Sequence, residues 1–117
     1  MSKWIKKFKY ALNGLWFTLI NESSFRVMVS FLVVQIVLGL ILGISSTQWI
    51  IIILFSSLAL CAELFNTACE RICDVFTQGW LIREIGVIKD ICAGGVAIMS
   101  AANLTVTLII FIPAFLA

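Results

Sequence analysis

Apolar residues fill two long blocks of the chain, and every charged residue lies outside them. Residues 27–62 and 91–117 contain no Asp, Glu, Lys or Arg, so the eight basic and six acidic side chains all fall within 1–26 and 63–90. A helix needs about 20 mostly apolar residues to cross a bilayer, so the blocks predict three transmembrane helices. These predicted helices lie at about residues 25–44, 49–74 and 90–112.

The segment between the second and third predicted helices is more polar. Residues 77–88 are predicted to form a connector, with Gly79 and Gly86 as its flexible points. The third helix is predicted to open at Lys89. It is predicted to end before Pro113, because proline lacks the N–H that continues a helix.

The N-terminal segment has a different periodicity. Its apolar residues recur at steps of three and four along about residues 2–20, and lysines lie between them. The apolar stripe comprises Trp4, Phe8, Leu12, Leu15 and Leu19. This pattern predicts an amphipathic helix that lies on the membrane surface, with its lysines toward water and lipid phosphates.

Composition supports a membrane protein and excludes several other classes. Of the 117 residues, 62% are hydrophobic and only 12% are charged, and the mean hydropathy is +1.16. A soluble domain of this size has too little interior to hide so much apolar surface. A soluble enzyme, a disordered chain and a nucleic-acid-binding protein are therefore excluded, and we expect a single all-α domain over residues 1–117.

The positive charges predict how the chain is oriented. Five of the eight Lys and Arg residues lie before or at the start of the first predicted span, and the other three lie in or beside the connector. Cytoplasmic loops carry an excess of such charges. We therefore expect a protein of the bacterial inner membrane with its N-terminus and connector in the cytoplasm and its C-terminus outside.

Polar residues gather on one face of the second predicted span, near its cytoplasmic end. At about 100° per residue they fall within an arc of roughly 100°. The members of this polar stripe are Glu63, Asn66, Thr67, Glu70 and Asp74. Carboxylates in a membrane helix are costly, so repeating them along one face indicates a function.

The polar stripe predicts phosphoryl-transfer chemistry. Neighbouring carboxylates stay ionised most easily around a cation, and oxygen ligands suit Mg²⁺, which also binds phosphate oxygens. Lys89 adds a positive charge at the same membrane face, and Asp90 and Glu22 add further acids. Positioning and charge neutralisation of this kind dominate phosphoryl transfer. The chain has no Walker A sequence, and without His it has no Ser-His-Asp triad.

Three other interpretations remain open at this level. In the first, the acids are only a polar end of the helix at the lipid headgroups and have no catalytic role. A pore-forming or holin-like protein would need no carboxylate stripe, and a small proton-coupled transporter would use Glu63 alone, without Lys89 and Asp90.

The motifs resemble those of a known family. Residues 63–74, E-L-F-N-T-A-C-E-R-I-C-D, and residues 89–97, K-D-I-C-A-G-G-V-A, are similar to the signature of the small prokaryotic diacylglycerol kinases and undecaprenol kinases. The N-E-S-S-F-R element at residues 21–26 resembles another family motif, and Tyr10 and Gly14 match the pattern of its surface helix. The resemblance covers nearly the whole chain.

This resemblance implies a homotrimeric helical bundle of three-span subunits, each with a surface helix. It implies phosphorylation of a lipid hydroxyl by ATP with Mg²⁺. Diacylglycerol, which would yield phosphatidic acid, is the first expectation, and undecaprenol is the alternative. Glu63 would be the general base with Asn66 as its polar partner, and Glu22 and Glu70 would bind the metal.

The resemblance also implies a set of nucleotide contacts. Lys89 would hold the transferred phosphate, and Asp90 would belong to the nucleotide side. Tyr10, Lys3 and Lys6 would add contacts to the nucleotide. The connector departs from the family pattern, because the family usually carries a histidine shortly before K-D and this chain has none.

Overall fold

The structure is a computed structural model that describes residues 2–117, and this part of the chain forms four helices. They are α1 (Lys3–Asn21), α2 (Ser23–Leu42), α3 (Ser46–Thr77) and α4 (Arg83–Leu116). The last three are long and apolar enough to cross a membrane. The prediction of an all-α chain with three such helices is therefore confirmed.

The break between α1 and α2 is sharp because both helix ends find partners there. Glu22 has extended backbone angles, and its N–H still donates to the carbonyl of Thr18. The Arg26 Nη1 donates to the carbonyl oxygens of Leu19 and Ile20, at 3.0 and 2.7 Å. These bonds satisfy carbonyls that the end of a helix otherwise leaves without partners, so Arg26 fixes the direction of α2 relative to α1.

The turn between α2 and α3 is built from standard helix caps. Gly43 ends α2 in the left-handed conformation at φ 65°, where a side chain would be strained. Ser45 and Gln48 then form a reciprocal capping box that starts α3. Gly39 makes room for the Trp49 ring, since a Cβ at position 39 would lie only 2.6 Å from that ring.

The connector is shorter than the sequence predicted. Gln78 and Gly79 have positive φ values of 50° and 87°, and they end α3. The next helix already begins at Arg83 rather than at Lys89, and Gly86 lies inside it with its N–H bonded to the carbonyl of Ile82. One glycine costs a helix only about 1 kcal/mol, which neighbouring helical residues offset.

The end of α4 also differs from the prediction. Pro113 lies inside the helix, which continues to Leu116. Proline removes one helix hydrogen bond, but its fixed φ is itself helical, so a final turn can follow it. The prediction that Pro113 ends the helix was wrong.

α3 and α4 form the most extensive helix pair, and α2 packs against both. Near the end opposite the polar stripe, the core is a small apolar cluster of Ile52, Ile110 and Phe111. Most other large apolar side chains face outward, as expected for helices surrounded by lipid or by neighbouring subunits.

Candidate active site

Glu63 is the centre of the candidate site. It lies on α3 with its side chain only 4% exposed, although it is an ionisable residue. The Ser24 hydroxyl, near the start of α2, donates a hydrogen bond to Glu63 Oε1 at 2.9 Å. A carboxylate buried in a bundle needs such donors, because burial without them is costly.

Asn66 and Thr67 lie beside Glu63 and are also buried, at 8% and 4% exposure. The Asn66 amide donates to Glu70 Oε1 at 3.2 Å, which links the first and second turns of the polar stripe. In the described part of the chain, neither Asn66 Oδ1 nor Thr67 Oγ1 has a hydrogen-bond partner. A buried polar atom without a partner costs about 1–3 kcal/mol. The polar stripe therefore retains unused hydrogen-bonding capacity.

Glu22 and Glu70 are the two acids that the family resemblance assigns to the metal. Both are half-buried, and both lie near enough to Glu63 for their negative charges to act on it. Within residues 2–117, no three His, Cys, Asp or Glu side chains form a group that could hold a metal ion. Mg²⁺ is usually held by one or two carboxylates together with substrate phosphates and water, so this donor set suits it without a protein cage.

Lys89 makes a contact that the sequence did not indicate. Its ammonium group pairs with the Asp74 carboxylate, across from α4 to the end of α3. The pair is solvent-exposed, since the side chains are 36% and 65% accessible. Asp90 points to the exposed surface. The two ends of the polar stripe thus differ, because Glu63 is enclosed and Asp74 is open to water.

Tyr10 lies on a groove of about 510 Å³ between α1 and α3. The groove is lined by Thr67 and Arg71 on α3 and by Gly14 and Thr18 on α1. It therefore connects Tyr10 with the polar stripe.

The remaining residues of the predicted nucleotide site lie further along α1. Lys3 and Lys6 are exposed near the N-terminal end of that helix. The structure does not bring their side chains into contact with the polar stripe, as far as residues 2–117 describe it.

A second groove of about 370 Å³ lies between α2, α3 and α4. Its walls are mostly apolar and include Val27, Phe31 and Ala59. Ser24, the hydrogen-bond donor to Glu63, belongs to the same wall. An apolar groove that reaches a buried carboxylate can hold the hydrocarbon chain of a lipid and leave its polar end near that carboxylate.

Sequence reasoning missed three contributors to this region. Ser24 belongs to the N-E-S-S-F-R element, but a hydroxyl near the start of a helix usually accepts a hydrogen bond from a backbone N–H, so its donation to Glu63 has no local signal. Arg71 stacks on the Phe17 ring, with its guanidinium carbon 4.5 Å from the ring centre. Gln35 could have been identified from the sequence, because it is the single amide in the first predicted span. Such residues usually form hydrogen bonds with neighbouring helices.

Comparisons with known proteins show the family of this chain. Residues 9–111 match the family model described as prokaryotic diacylglycerol kinase. The chain is also 28% identical to the undecaprenol kinase of Bacillus subtilis (strain 168) over 113 residues, which covers 97% of this chain and 91% of that protein. No solved structure matches the chain significantly. These matches set aside the pore-forming and transporter interpretations, and the chain belongs to the prokaryotic diacylglycerol kinase family of membrane lipid kinases.

Proposed function

We propose that the protein transfers the terminal phosphoryl group of ATP to the hydroxyl of a membrane lipid alcohol, with Mg²⁺ as cofactor. The observation that carries the proposal is Glu63, a buried carboxylate that Ser24 links to the wall of an apolar groove. The lipid oxygen attacks the terminal phosphorus, its proton passes to Glu63, and ADP leaves. A lipid hydroxyl needs a base, and the chain contains no His to act as one.

The acceptor is one of two lipid alcohols. The N-E-S-S-F-R element at residues 21–26 favours diacylglycerol, whose product is phosphatidic acid. The similarity to a protein named undecaprenol kinase favours undecaprenol. Either lipid could place its hydrocarbon chain in the groove between α2, α3 and α4 and its hydroxyl near Glu63.

The phosphate side of the site lies toward the exposed end of the polar stripe. Glu22 and Glu70 would hold Mg²⁺, which neutralises charge on the phosphates when it is bound. Asn66 supports this arrangement, because its amide holds Glu70 and its free Oδ1 leaves an acceptor in the site. Glu70 and Asn66 would thus hold the metal on the same helix as the base, and Glu22 would approach it from the break between α1 and α2.

The nucleotide would extend from there toward α1. Lys89 would hold the transferred phosphate, and Asp90 would lie on the nucleotide side. Tyr10 would contact the nucleotide through the α1–α3 groove, with Lys3 and Lys6 toward its outer end. Lys89 would exchange its exposed partner Asp74 for phosphate, and the cost is small because exposed ion pairs are weak.

The functional unit that we propose is a homotrimer. One subunit measures only 20 Å in its thinnest direction, about two helix diameters, so it cannot enclose the polar stripe on all sides. The unpartnered Oδ1 of Asn66 supports a site that a neighbouring subunit or a ligand completes. Cross-linking in native membranes tests the assembly, and an active monomer would contradict it.

The remaining proposal concerns placement in the membrane. We place α1 on the cytoplasmic surface of a bacterial inner membrane, with the C-terminus outside. The support is the excess of Lys and Arg in α1 and around the α3–α4 connector. A reporter fused after Ala117 should be active only on the outer side, and cytoplasmic activity would contradict this orientation.

A direct assay tests the function and the acceptor together. Purified protein in mixed micelles receives ATP labelled in its terminal phosphate, Mg²⁺, and either diacylglycerol or undecaprenol. We expect label in phosphatidic acid or in undecaprenyl phosphate, with the higher kcat/KM identifying the acceptor, and no product after chelation of Mg²⁺. An absence of labelled lipid with both acceptors would contradict the proposed function.

A further inference from the structure

Ser24 donates its hydroxyl hydrogen bond to a carboxylate on another helix, whereas the interhelical bonds of Ser56 go to neutral side chains. Other helical hydroxyls mostly bond to their own helix, as Ser30 does to the carbonyl of Arg26 and Thr105 does to that of Ala101. The Ser24 hydroxyl instead reaches from α2 to Glu63 on α3, which is 39 residues away in the chain. Ser24 is therefore a link between two helices at the buried carboxylate.

Ser24 lies where the apolar groove comes next to Glu63. Ser24 lines the groove between α2, α3 and α4, together with Val27 and Phe31. Glu63 is 4% exposed and does not line the groove. Ser24 lines the groove and is hydrogen-bonded to Glu63, so it connects the groove to the carboxylate. A lipid hydroxyl that approaches along the groove meets Ser24 beside Glu63.

A hydroxyl that donates to one carboxylate oxygen also determines what the other oxygen can do. The bond at 2.9 Å occupies Oε1 and resists rotation of the carboxylate about its terminal torsion, which is otherwise broad. In this orientation Oε2 would be the oxygen that accepts the proton. Hydrogen bonds to an ionised group are stronger than those between neutral groups, so the constraint is effective.

We propose that Ser24 is a positioning residue that orients the Glu63 carboxylate for proton removal from the lipid hydroxyl. The inference rests on the proposed function, in which Glu63 is the base. Ser24 itself need not exchange a proton with the substrate.

The first test compares three serine variants. Ser24→Ala should lower kcat about 10-fold, which corresponds to a single hydrogen bond to a charged group. The KM values for ATP and for the lipid should change less than about two-fold, because alignment affects the transition state more than binding. Ser24→Thr retains the hydroxyl and should restore most of the turnover. Ser30→Ala is the matched control on the same helix and should keep full activity.

A second test separates orientation from a general structural effect. In a Glu63→Gln background, Ser24→Ala should cause no further loss of turnover, because the two residues act as one unit. Ser24→Thr and Ser30→Ala should keep the thermal midpoint of the wild-type protein in detergent, whereas Ser24→Ala should lower it modestly, because it removes a donor to a buried carboxylate.

The outcomes distinguish this inference from the proposed function. If the wild-type protein phosphorylates lipid and Glu63→Gln impairs it, full kcat in Ser24→Ala would overturn the role of Ser24 alone. An equal additional loss in the Glu63→Gln background would also overturn it, as would a Ser24→Thr variant that folds but remains as slow as Ser24→Ala. Failure of the wild-type protein to label any lipid would instead overturn the proposed function.

Discussion

Two polar clusters lie about two turns apart on α3, and they differ in how fully their hydrogen bonds are satisfied. The first contains Ser56 and is neutral, and the second is the polar stripe that begins at Glu63, seven residues or about 10 Å further along the helix. Both are buried at their centres, with Ser56 at 2% and Glu63 at 4% exposure. Burial alone therefore does not separate a structural cluster from a functional one.

The neutral cluster consists of Gln35, Ser56, Asn103 and Thr107, and its members bond mainly to one another. The Gln35 amide donates to Thr107 Oγ1 at 2.7 Å and to Asn103 Oδ1 at 3.2 Å. Ser56 donates to Gln35 Oε1 at 2.6 Å, and Thr107 donates to the Asn103 carbonyl. This network joins α2, α3 and α4 and pairs the carbonyl and the amide of Gln35, so it stabilises their register within the membrane.

The polar stripe is charged and open by comparison. Its buried atoms Asn66 Oδ1 and Thr67 Oγ1 lack partners within residues 2–117, and Asp74 reaches water. A closed neutral network holds helices together, whereas an open charged stripe keeps donors and acceptors available. The comparison predicts that changes in the stripe reduce activity and that changes in the network reduce stability.

The largest expected effect comes from Glu70→Gln. This variant keeps the size of the side chain and removes the charge that we assign to the metal, so activity should be abolished at ordinary Mg²⁺ concentrations. Lipid phosphorylation measured across a Mg²⁺ titration checks this expectation. Normal turnover with an unchanged metal dependence would remove Glu70 from the metal site.

The next largest effect is expected for Glu63→Gln. Loss of a general base typically reduces turnover by about 10² or more, and the amide cannot take the lipid proton. Nucleotide binding and assembly should survive, which equilibrium binding of ATP and native mass measurement would check. Near-normal turnover would show that another group is the base, and Asp74 or Asp90 would be tested next.

A matched pair of threonines on α4 probes the neutral network. Thr107→Val removes the acceptor for Gln35, and Thr105→Val removes a hydroxyl that bonds only to its own helix. Interhelical hydrogen bonds in membranes contribute about 0.6 kcal/mol on average and at most about 1.7 kcal/mol. We therefore expect Thr107→Val to lower the free energy of unfolding by about 1 kcal/mol and Thr105→Val to change it little.

Reversible unfolding in detergent with increasing sodium dodecyl sulfate measures both threonine variants. Their kcat values should remain close to that of the wild-type protein. A Thr107→Val variant that loses turnover but keeps its stability would break the distinction between the two clusters.

The smallest effect is expected for Asp74→Asn, at the exposed end of the polar stripe. The Lys89–Asp74 pair is open to solvent, and such pairs contribute little to stability and are screened by salt. The unfolding midpoint should not shift measurably, and any difference from the wild-type protein should disappear at high ionic strength. A large, salt-independent destabilisation would show that this end of the polar stripe is structural.

Much of the fold could be predicted because it depends on local chemistry. The uncharged blocks predicted three apolar helices, and the offsets of the stripe residues placed Glu63 and Glu70 on one face of α3. The helix ends around the connector were predicted less well. Gly79 and Gly86 look alike in the sequence, but only Gly79 adopts a positive φ, whereas Gly86 continues α4 with its N–H bonded to the carbonyl of Ile82.

By itself, the sequence determined the solvent, the helices and the chemical character of the site. Its hydropathy indicates insertion into a bilayer, and the helical spacing of the acids places them on one face. The motif at residues 63–74 indicates the family. The tertiary structure decided which polar groups meet, because contacts between helices depend on their register and crossing. No local pattern brings Ser24 to Glu63, or Gln35 to residues near the end of α4, and only the packing of three helices makes one cluster closed and leaves the other open.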